Sequence, residues 1–269
     1  MFFKIFLPIL AVIFIIYIFL IMPKLKKRVD KKFLTAKYAH RGLHGEGVPE
    51  NSMRAFELAV ENGYGIELDV RFSKDKKLMV FHDTTLKRVC GVDEKVCDKS
   101  ALELAQISLL GTEQTVPTFE DVLALVDGKV PLLVEIKQDP GEGDVATAVC
   151  EMLASYKGDL LIESFNPLAL SVVKKKLPCV CRGLLCDRFT RQKKYKKPLY
   201  YILQAALLNF LCKPDFIAYN HSAKRGFSLC IVKKLFKTPF VAWTVRSKAE
   251  EESAREQGYQ SVIFENYMA

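Results

Sequence analysis

The feature that most constrains the fold is the repeated alternation of short β-rich runs with helix-like stretches after about residue 36. This alternation predicts a parallel sheet covered by helices, because each parallel connection needs a crossover of helical length. Capping residues mark several helix starts, among them Asn51, Thr118, Asn166 and Ser247. The β-rich runs lie at residues 37–40, 65–70, 78–82, 131–137, 160–165, 179–185, 215–220, 240–245 and 261–264.

The runs at 65–70 and 78–82 are joined by too few residues to hold a crossover helix. Ser73, Lys74 and Asp75 in this link are typical of a turn, so we predict an antiparallel hairpin here. Eight parallel strands then remain, which is the strand number of a TIM barrel of roughly 250 residues. The predicted fold class is therefore α/β, with a (β/α)8 barrel over residues 36–269.

Charged residues interrupt two of the apolar runs with the period of a strand. Glu67 and Asp69 are two residues apart, as are Glu135 and Lys137, so each pair faces one side of its strand. A buried charge needs a partner or a metal, and carboxylates on neighbouring strand ends would suit Mg²⁺ or Ca²⁺. A structural cluster of ion pairs explains the pattern equally well at this point.

Two of the four histidines stand beside these charged runs. His40 follows the first strand, and His82 ends the predicted hairpin. If the hairpin turn centres near Asp75, antiparallel pairing places His82 beside Glu67 and Asp69. Two imidazoles near a metal and a phosphate would act as base and acid near neutral pH. His44 and His221 have no such neighbours in the sequence, and we expect no role for them.

Taken together, these motifs resemble those of the glycerophosphodiester phosphodiesterase family. The resemblance covers nearly all of residues 36–264. The matching motifs are, in order, His40-Arg41-Gly42, Pro49-Glu50-Asn51-Ser52, Ala55-Phe56, Ile66-Glu67-Leu68-Asp69-Val70, Lys74-Asp75, Val80-Phe81-His82-Asp83, Pro117-Thr118, Leu133-Val134-Glu135-Ile136-Lys137, Ser164-Phe165 and Trp243-Thr244-Val245.

The resemblance implies a metal-dependent hydrolase that converts glycerophosphodiesters to glycerol 3-phosphate and an alcohol. It implies a site at the carboxyl ends of the barrel strands, as is general for this fold. The resemblance also implies that Glu67, Asp69 and Glu135 bind a divalent metal, Mg²⁺ or Ca²⁺, and that His40 and His82 are the acid–base pair. Arg41 and Lys137 would then contact the phosphate, and Trp243 would line the glycerol side. Glu50 and Asn51 would support the loop after the first strand.

Two segments depart from the family pattern. The family usually follows its last strand with an aspartate-containing motif, whereas this chain has Glu265 and Asn266 there. Residues 188–212 form a basic and then apolar stretch that the pattern does not predict. We expect this stretch to be an outer barrel helix or a segment lying at a membrane interface.

The N-terminal residues 5–22 are apolar without a charge, long enough for about 27 Å of helix. They predict a transmembrane anchor at residues 1–23, followed by a basic juxtamembrane linker at 24–35. The basic flank places the barrel in the cytoplasm of a single-pass membrane protein, so the membrane is an expected partner. A signal peptide is the competing interpretation, but no small-residue cleavage site follows the run.

Charge and composition bear on the remaining function classes. The formal charge is +9, from 40 basic and 31 acidic residues. The basic residues are scattered and lack interleaved aromatic residues, so no nucleic-acid partner is expected. A lysophospholipase D that acts on membrane lysophospholipids remains the alternative enzyme. A barrel without catalysis is disfavoured because the matched polar positions are all present.

Overall fold

The nine predicted strands all form. The computed structural model describes residues 2–25, 29–139 and 141–269, with side chains from residue 6 onward. The strands are β1 Lys37–Ala39, β2 Gly65–Phe72, β3 Leu78–Val80, β4 Leu132–Ile136, β5 Leu160–Ser164, β6 Cys181–Cys186, β7 Phe216–Asn220, β8 Phe240–Val245 and β9 Ser261–Phe264.

Eight of these strands close into a parallel barrel, as the sequence predicts. The hydrogen-bonded order is β1-β9-β8-β7-β6-β5-β4-β2, and β1 also pairs in parallel with β2 to complete the ring. Their carboxyl ends therefore meet at one mouth, where TIM barrels carry their sites.

Helices cover the outside of the barrel. They are α1 Phe2–Ile21, α2 Lys31–Thr35, α3 Met53–Glu61, α4 Lys87–Cys90, α5 Ala101–Leu104, α6 Phe119–Val126, α7 Val145–Leu153, α8 Pro167–Lys176, α9 Pro198–Gln204, α10 Asn209–Cys212, α11 Phe227–Leu235 and α12 Lys248–Glu256. Thr118, Asn166 and Ser247 accept hydrogen bonds as N-caps, as predicted. The cap of α3 is Ser52 and not Asn51, because the side chain of Asn51 is engaged inside the barrel mouth.

The predicted hairpin is confirmed. β3 pairs antiparallel with β2, with Val70 opposite Val80 and Phe72 opposite Leu78. The pairing continues where Phe81 N donates to the carbonyl of Asp69 at 2.9 Å. In this register the chain carries His82 back toward the inner end of β2, above the barrel carboxylates.

Apolar side chains fill the lower barrel interior. Tyr38, Leu133 and Phe216 are each about 1% exposed and belong to one cluster inside the strands. Two glycines make room for these rings. A Cβ on Gly65 would lie 2.7 Å from the Tyr38 ring, and one on Gly183 would lie 2.2 Å from the Phe216 ring.

The apolar N-terminal run forms α1, but the prediction of a membrane anchor is wrong: no helix in the described ranges is long and apolar enough to cross a bilayer. The last turns of α1 pack on the outer helices, where Tyr17 donates to Ser228 and Asn209 to the Ile21 carbonyl, each at 2.8 Å. The same finding contradicts the single-pass membrane localisation, and it gives no support to the membrane as a partner.

The segment after α1 packs on the barrel where it is described. Lys24 Nζ lies 3.0 Å from Oδ1 of the buried Asp215, and Val29 and Phe33 belong to the cluster inside the strands. Lys26, Lys27 and Arg28 of the predicted basic linker, like the side chain of Lys4, lie outside the described residues. The division into residues 1–23, 24–35 and 36–269 stays a prediction.

Residues 188–212 fold as short helices on the outside of the barrel. Ala206, Asn209 and Cys212 are buried, whereas Leu199 and Tyr201 of α9 are about half exposed. Phe210 contacts Phe19 of α1 at 5.7 Å between ring centroids. The outer-helix interpretation therefore holds for α10.

We predict that Gly183→Ala destabilises the protein by about 1–3 kcal/mol, because the new methyl group overpacks the interior against Phe216. The free energy of unfolding in urea measures this cost. Phe216→Leu in the same chain should recover part of it. Gly45→Ala is the matched control, since no atom lies within 4 Å of its added Cβ. Equal stability of the Gly183 and Gly45 variants would contradict the packing argument.

Candidate active site

Three buried carboxylates meet at the carboxyl ends of β2 and β4. Asp69 pairs directly with Glu135 across the two strands, and Glu67 lies two residues before Asp69. The three residues are no more than 6% exposed. One oxygen from each lies within 4.8 Å of the others, so the group could hold a metal ion. Strand alternation explains the convergence, because all three side chains point into the barrel.

Two cations partly neutralise this group. Lys137 Nζ lies 2.7 Å from Glu135 Oε1 and 3.1 Å from Asp69 Oδ1. Arg41 donates its backbone N–H to Glu67 at 2.9 Å, and its guanidinium lies 3.5 Å from Asp69. Although burial opposes it, Lys137 is the leading cause that holds the pKa of Asp69 well below its usual range.

Negative charge nonetheless remains in excess around Glu67. Burial, with the charges of Asp69 and Glu135, raises the pKa of Glu67 well above its usual range. Burial likewise raises the pKa of Glu135, against the influence of Lys137. A cation bound among these oxygens would favour the ionised carboxylates, which burial and mutual repulsion disfavour. Ion pairing within the chain therefore explains only part of the cluster.

Both predicted histidines line the cavity above the carboxylates, which has a volume of about 220 Å³. Each is held in the same way, through Nδ1. Nδ1 of His40 lies 2.5 Å from Glu265 Oε2, and Nδ1 of His82 lies 2.6 Å from Asp83 Oδ1. A carboxylate partner favours the tautomer with a proton on Nδ1. The Nε2 atoms are then left for chemistry in the cavity.

Glu50 and Asn51 tie the His40 loop to the rest of the mouth. Glu50 accepts from Arg41 at 2.6 Å and from Arg88 at 2.7 Å, and Arg88 also binds Asp83 at 2.6 Å. Asn51 Nδ2 donates to Asp69 Oδ2 at 2.9 Å. This network connects the loops that carry the two histidines.

Glu265, the residue that departs from the family pattern, is central to the His40 side of the site. Besides His40, it accepts from Arg246 Nε at 2.8 Å, and His44 Nε2 lies 3.8 Å from its Oε2. His44 therefore approaches the site, contrary to our expectation. Burial lowers the pKa of His40, and this outweighs the effect of the hydrogen bond that His40 donates to Glu265, which raises the pKa.

The far wall of the cavity is aromatic and apolar, with one charged exception. Trp243 meets Phe165 edge to face at 5.6 Å between ring centroids, and Leu185 and Ile263 complete the wall.

Glu163 also lines the cavity, and the sequence analysis did not identify it as a site residue. The signal was present, since Glu163 interrupts an apolar strand as Glu67 and Glu135 do. Burial raises the pKa of Glu163 well above its usual range.

The site residues expected from the sequence thus all lie at one barrel mouth, and the comparison with known families accords with this. A model of the glycerophosphoryl diester phosphodiesterase family matches residues 40–268. The chain belongs to this family. The family resemblance read from the sequence is confirmed, and with it an enzyme of the phosphodiesterase class.

Individual relatives support the membership of this phosphodiesterase family. The Bacillus subtilis protein YhdW, assigned as a glycerophosphodiester phosphodiesterase, is 31% identical over 84% of this chain and 92% of its own. A lysophospholipase D of Rattus norvegicus is 31% identical over 51% of this chain and 46% of its own. A solved phosphodiesterase of Oleispira antarctica, in complex with its product sn-glycerol-3-phosphate, has a TM-score of 0.71 at 23% identity. It covers 86% of this chain and 93% of that one, and it shares the fold.

We predict that Glu265→Gln lowers the pKa of His40, because the substitution removes the negative charge that raises it, while the amide oxygen can still accept from Nδ1. NMR titration measures this directly, since the chain has four histidines to assign. Glu250→Gln is the matched control, because Glu250 lies beside a different histidine, at 3.5 Å from His221 Nε2. An unchanged or higher His40 pKa in Glu265→Gln would contradict the assignment of Glu265 as its partner.

Proposed function

We propose that this phosphodiesterase hydrolyses glycerophosphodiesters to glycerol 3-phosphate and an alcohol, and that a divalent metal ion is required. The observation that carries the proposal is the convergence of three carboxylates, two histidines held by carboxylates, and two cations around one cavity. The family membership and the named activity of YhdW support the same reaction. Incubating the purified chain with glycerophosphocholine and assaying glycerol 3-phosphate tests it.

The residues present fit a metal ion of the hard divalent class. Glu67, Asp69 and Glu135 offer only carboxylate oxygens, which suit Mg²⁺ or Ca²⁺. Burial and the charges of Asp69 and Glu135 raise the pKa of Glu67, so the ionised group lacks full compensation within the chain. When bound, such an ion would neutralise charge that develops on the phosphate oxygens. Between the two metals the donor set does not discriminate, so both belong in the assay.

Arg41 and Lys137 would bind the phosphate of the substrate. Both line the cavity, and each is already drawn toward the carboxylate group by an ion pair. A phosphodiester carries one negative charge and gains more in the transition state, which fixed cations stabilise in a site shielded from water. Trp243, on the opposite wall, would then face the glycerol portion.

His40 and His82 would move the protons of the reaction. One imidazole takes a proton through Nε2 from the nucleophile, which is water or the neighbouring glycerol hydroxyl, as its oxygen bonds to phosphorus. Attack by the hydroxyl gives a cyclic phosphate, which water then opens in a second step to yield glycerol 3-phosphate. The other gives a proton to the alcohol oxygen as its bond to phosphorus breaks. Glu265 and Asp83 hold the opposite ring nitrogens, so each imidazole keeps one orientation and one tautomer.

A lysophospholipase D reaction is the second candidate, and the similarity to the rat enzyme favours it. The chemistry at phosphorus would be the same, but the glycerol would carry an acyl chain. Parallel assays of glycerophosphocholine and lysophosphatidylcholine, at equal metal and protein concentrations, separate the two. The higher kcat/KM identifies the preferred substrate.

We predict that chelation abolishes turnover and that Mg²⁺ or Ca²⁺ restores it. Asp69→Asn and Glu135→Gln should each lose most activity and require more metal for half-maximal rate, because each removes an anionic oxygen ligand. Asp215→Asn is the matched control: Asp215 is also buried, but it lies just before β7, at the end of the barrel opposite the mouth, and pairs with Lys24 at 3.0 Å. Full activity of Glu67→Ala in chelator would refute the metal assignment.

We predict that His40→Ala and His82→Ala each lower kcat by about 10²-fold or more, the usual scale for acid–base catalysis. Both variants should fold, because the two rings lie at the barrel mouth and not in the packed interior. Circular dichroism and kcat on glycerophosphocholine measure the two effects separately. His221→Asn is the control, and near-normal turnover of either mouth variant would show that its histidine takes no part.

A further inference from the structure

Glu265 lies between two histidines at the edge of the active site. Oε2 of Glu265 is 2.5 Å from Nδ1 of His40 and 3.8 Å from Nε2 of His44. One donor atom from each of the three side chains lies within 4.8 Å of the others. Two imidazole nitrogens and one carboxylate oxygen therefore converge here, a donor set unlike the three carboxylates of β2 and β4.

Nε2 of His44 is the atom in this group that the hydrogen bonds leave unexplained. It is buried, and among the residues that the structure describes it has no hydrogen-bond partner. At 3.8 Å it is too far from Glu265 for a hydrogen bond. Native proteins rarely leave a buried polar atom unpaired. A water molecule or a metal ion between the two side chains would satisfy it, and the second imidazole beside the same oxygen favours the metal.

The spacing of the three side chains fits a small ion. Zinc binds imidazole nitrogen and carboxylate oxygen at about 2.0–2.2 Å, usually in tetrahedral geometry, so its donors lie about 3.4 Å apart. The two measured separations, 2.5 and 3.8 Å, bracket this value. Shifts of less than about 1 Å in each pair would therefore bring the donors to it.

Hydrogen bonds hold the two loops that carry these donors. In the loop of His44, the backbone N–H of Leu43 donates to the Ala55 carbonyl at 2.9 Å. Oε1 of Glu265 accepts from Arg246 Nε at 2.8 Å, so Oε2 is the oxygen directed at the histidines. Hydrogen bonds that orient a ligating carboxylate in this way are usual around protein metal sites.

The donor types and the surrounding cavities separate this group from the buried carboxylates. Imidazole nitrogen suits Zn²⁺ and its transition-metal neighbours, whereas carboxylate oxygen suits Mg²⁺ and Ca²⁺. His44 and Glu265 line an outer cavity of about 340 Å³, whereas His40 lines the catalytic cavity. An ion can therefore reach the group from the outer side without passing the substrate.

We propose that His40, His44 and Glu265 form a site for Zn²⁺ or a similar transition-metal ion, and that its occupation blocks proton transfer by His40. Zinc on Nδ1 replaces the proton there, which passes to solvent, and the neutral ring keeps its other proton on Nε2. As a base His40 ends its step as an imidazolium, and as an acid it starts as one. The bound ion excludes that doubly protonated ring in either role. The blockade rests on the proposed function, whereas the binding of zinc does not.

Titration of the full chain with Zn²⁺, in excess Mg²⁺, tests the site by calorimetry and histidine NMR. Zinc should shift the ring resonances of His40 and His44 and leave those of His221 in place. Loss of a residue that only supports a ligand commonly costs 10- to 100-fold in metal affinity, so loss of the ligand itself in His44→Asn should cost about 100-fold or more. His221→Asn is the matched control, because His221 also lies beside a carboxylate, 3.5 Å from Glu250.

Hydrolysis of glycerophosphocholine is measured in the same Mg²⁺, and each rate is taken relative to the same variant without zinc. Zn²⁺ should inhibit the wild type and His221→Asn at the concentration that shifts the two rings. The His44→Asn variant should need about 100-fold more zinc, in line with its weaker binding. More Mg²⁺ should not relieve the inhibition, because Mg²⁺ prefers oxygen ligands.

Unshifted His40 and His44 resonances overturn the site and leave water as the partner of His44. Zinc binding that His44→Asn does not weaken also overturns it and assigns the ion to other groups, such as the cysteine thiols. If that variant does not fold, the wild-type spectra still decide. Zinc that shifts both rings without inhibition, or inhibition that Mg²⁺ relieves, overturns the blockade. A chain that binds zinc as described but hydrolyses nothing in Mg²⁺ or Ca²⁺ refutes the proposed reaction alone.

Discussion

The mutual repulsion of buried carboxylates is the constraint on which the rest of the site depends. Glu67, Asp69, Glu135 and Glu163 lie on three neighbouring strands and point into the same barrel interior. Burying one charge without compensation is costly, and burying several together more so. The loops around the mouth supply the compensation: the cations Arg41 and Lys137, the amide of Asn51 and the backbone N–H of Arg41 converge there.

The barrel interior is divided into an apolar layer that is tightly packed and a polar layer that carries the site. Below the carboxylates, Tyr38 and Phe216 fill the interior so tightly that glycine is needed opposite each ring. Above them the interior stays polar and leaves a cavity. The rigid lower layer fixes strand positions, so the carboxylate oxygens are held at short separations that they would not adopt freely. Apolar packing below thus opposes electrostatic repulsion above.

Much of the arrangement could be read from the sequence because period and connection length are local properties. Strand alternation predicted that Glu67 and Asp69 share a face, and the short link after β2 predicted the hairpin that returns His82. Long-range contacts could not be read in this way. That Glu265 would meet His40 depends on barrel closure. The N-terminal run was misread because apolar length alone does not show that its last turns pack on α10 and α11.

Both histidines bind a carboxylate through Nδ1, but the two carboxylates come from different parts of the chain. His82 takes its carboxylate from the next residue in the chain, on a hairpin outside the ring of parallel strands. His40 takes its carboxylate from the far end of the chain, and its N–H donates to the Phe264 carbonyl at 2.8 Å, where β1 pairs with β9. The His40 pair therefore exists only when the first and last strands are joined. Local opening of the β1–β9 seam would separate His40 from Glu265 while leaving His82 and Asp83 together. The pairing of β1 with β9 therefore links closure of the barrel to the orientation of the His40 imidazole.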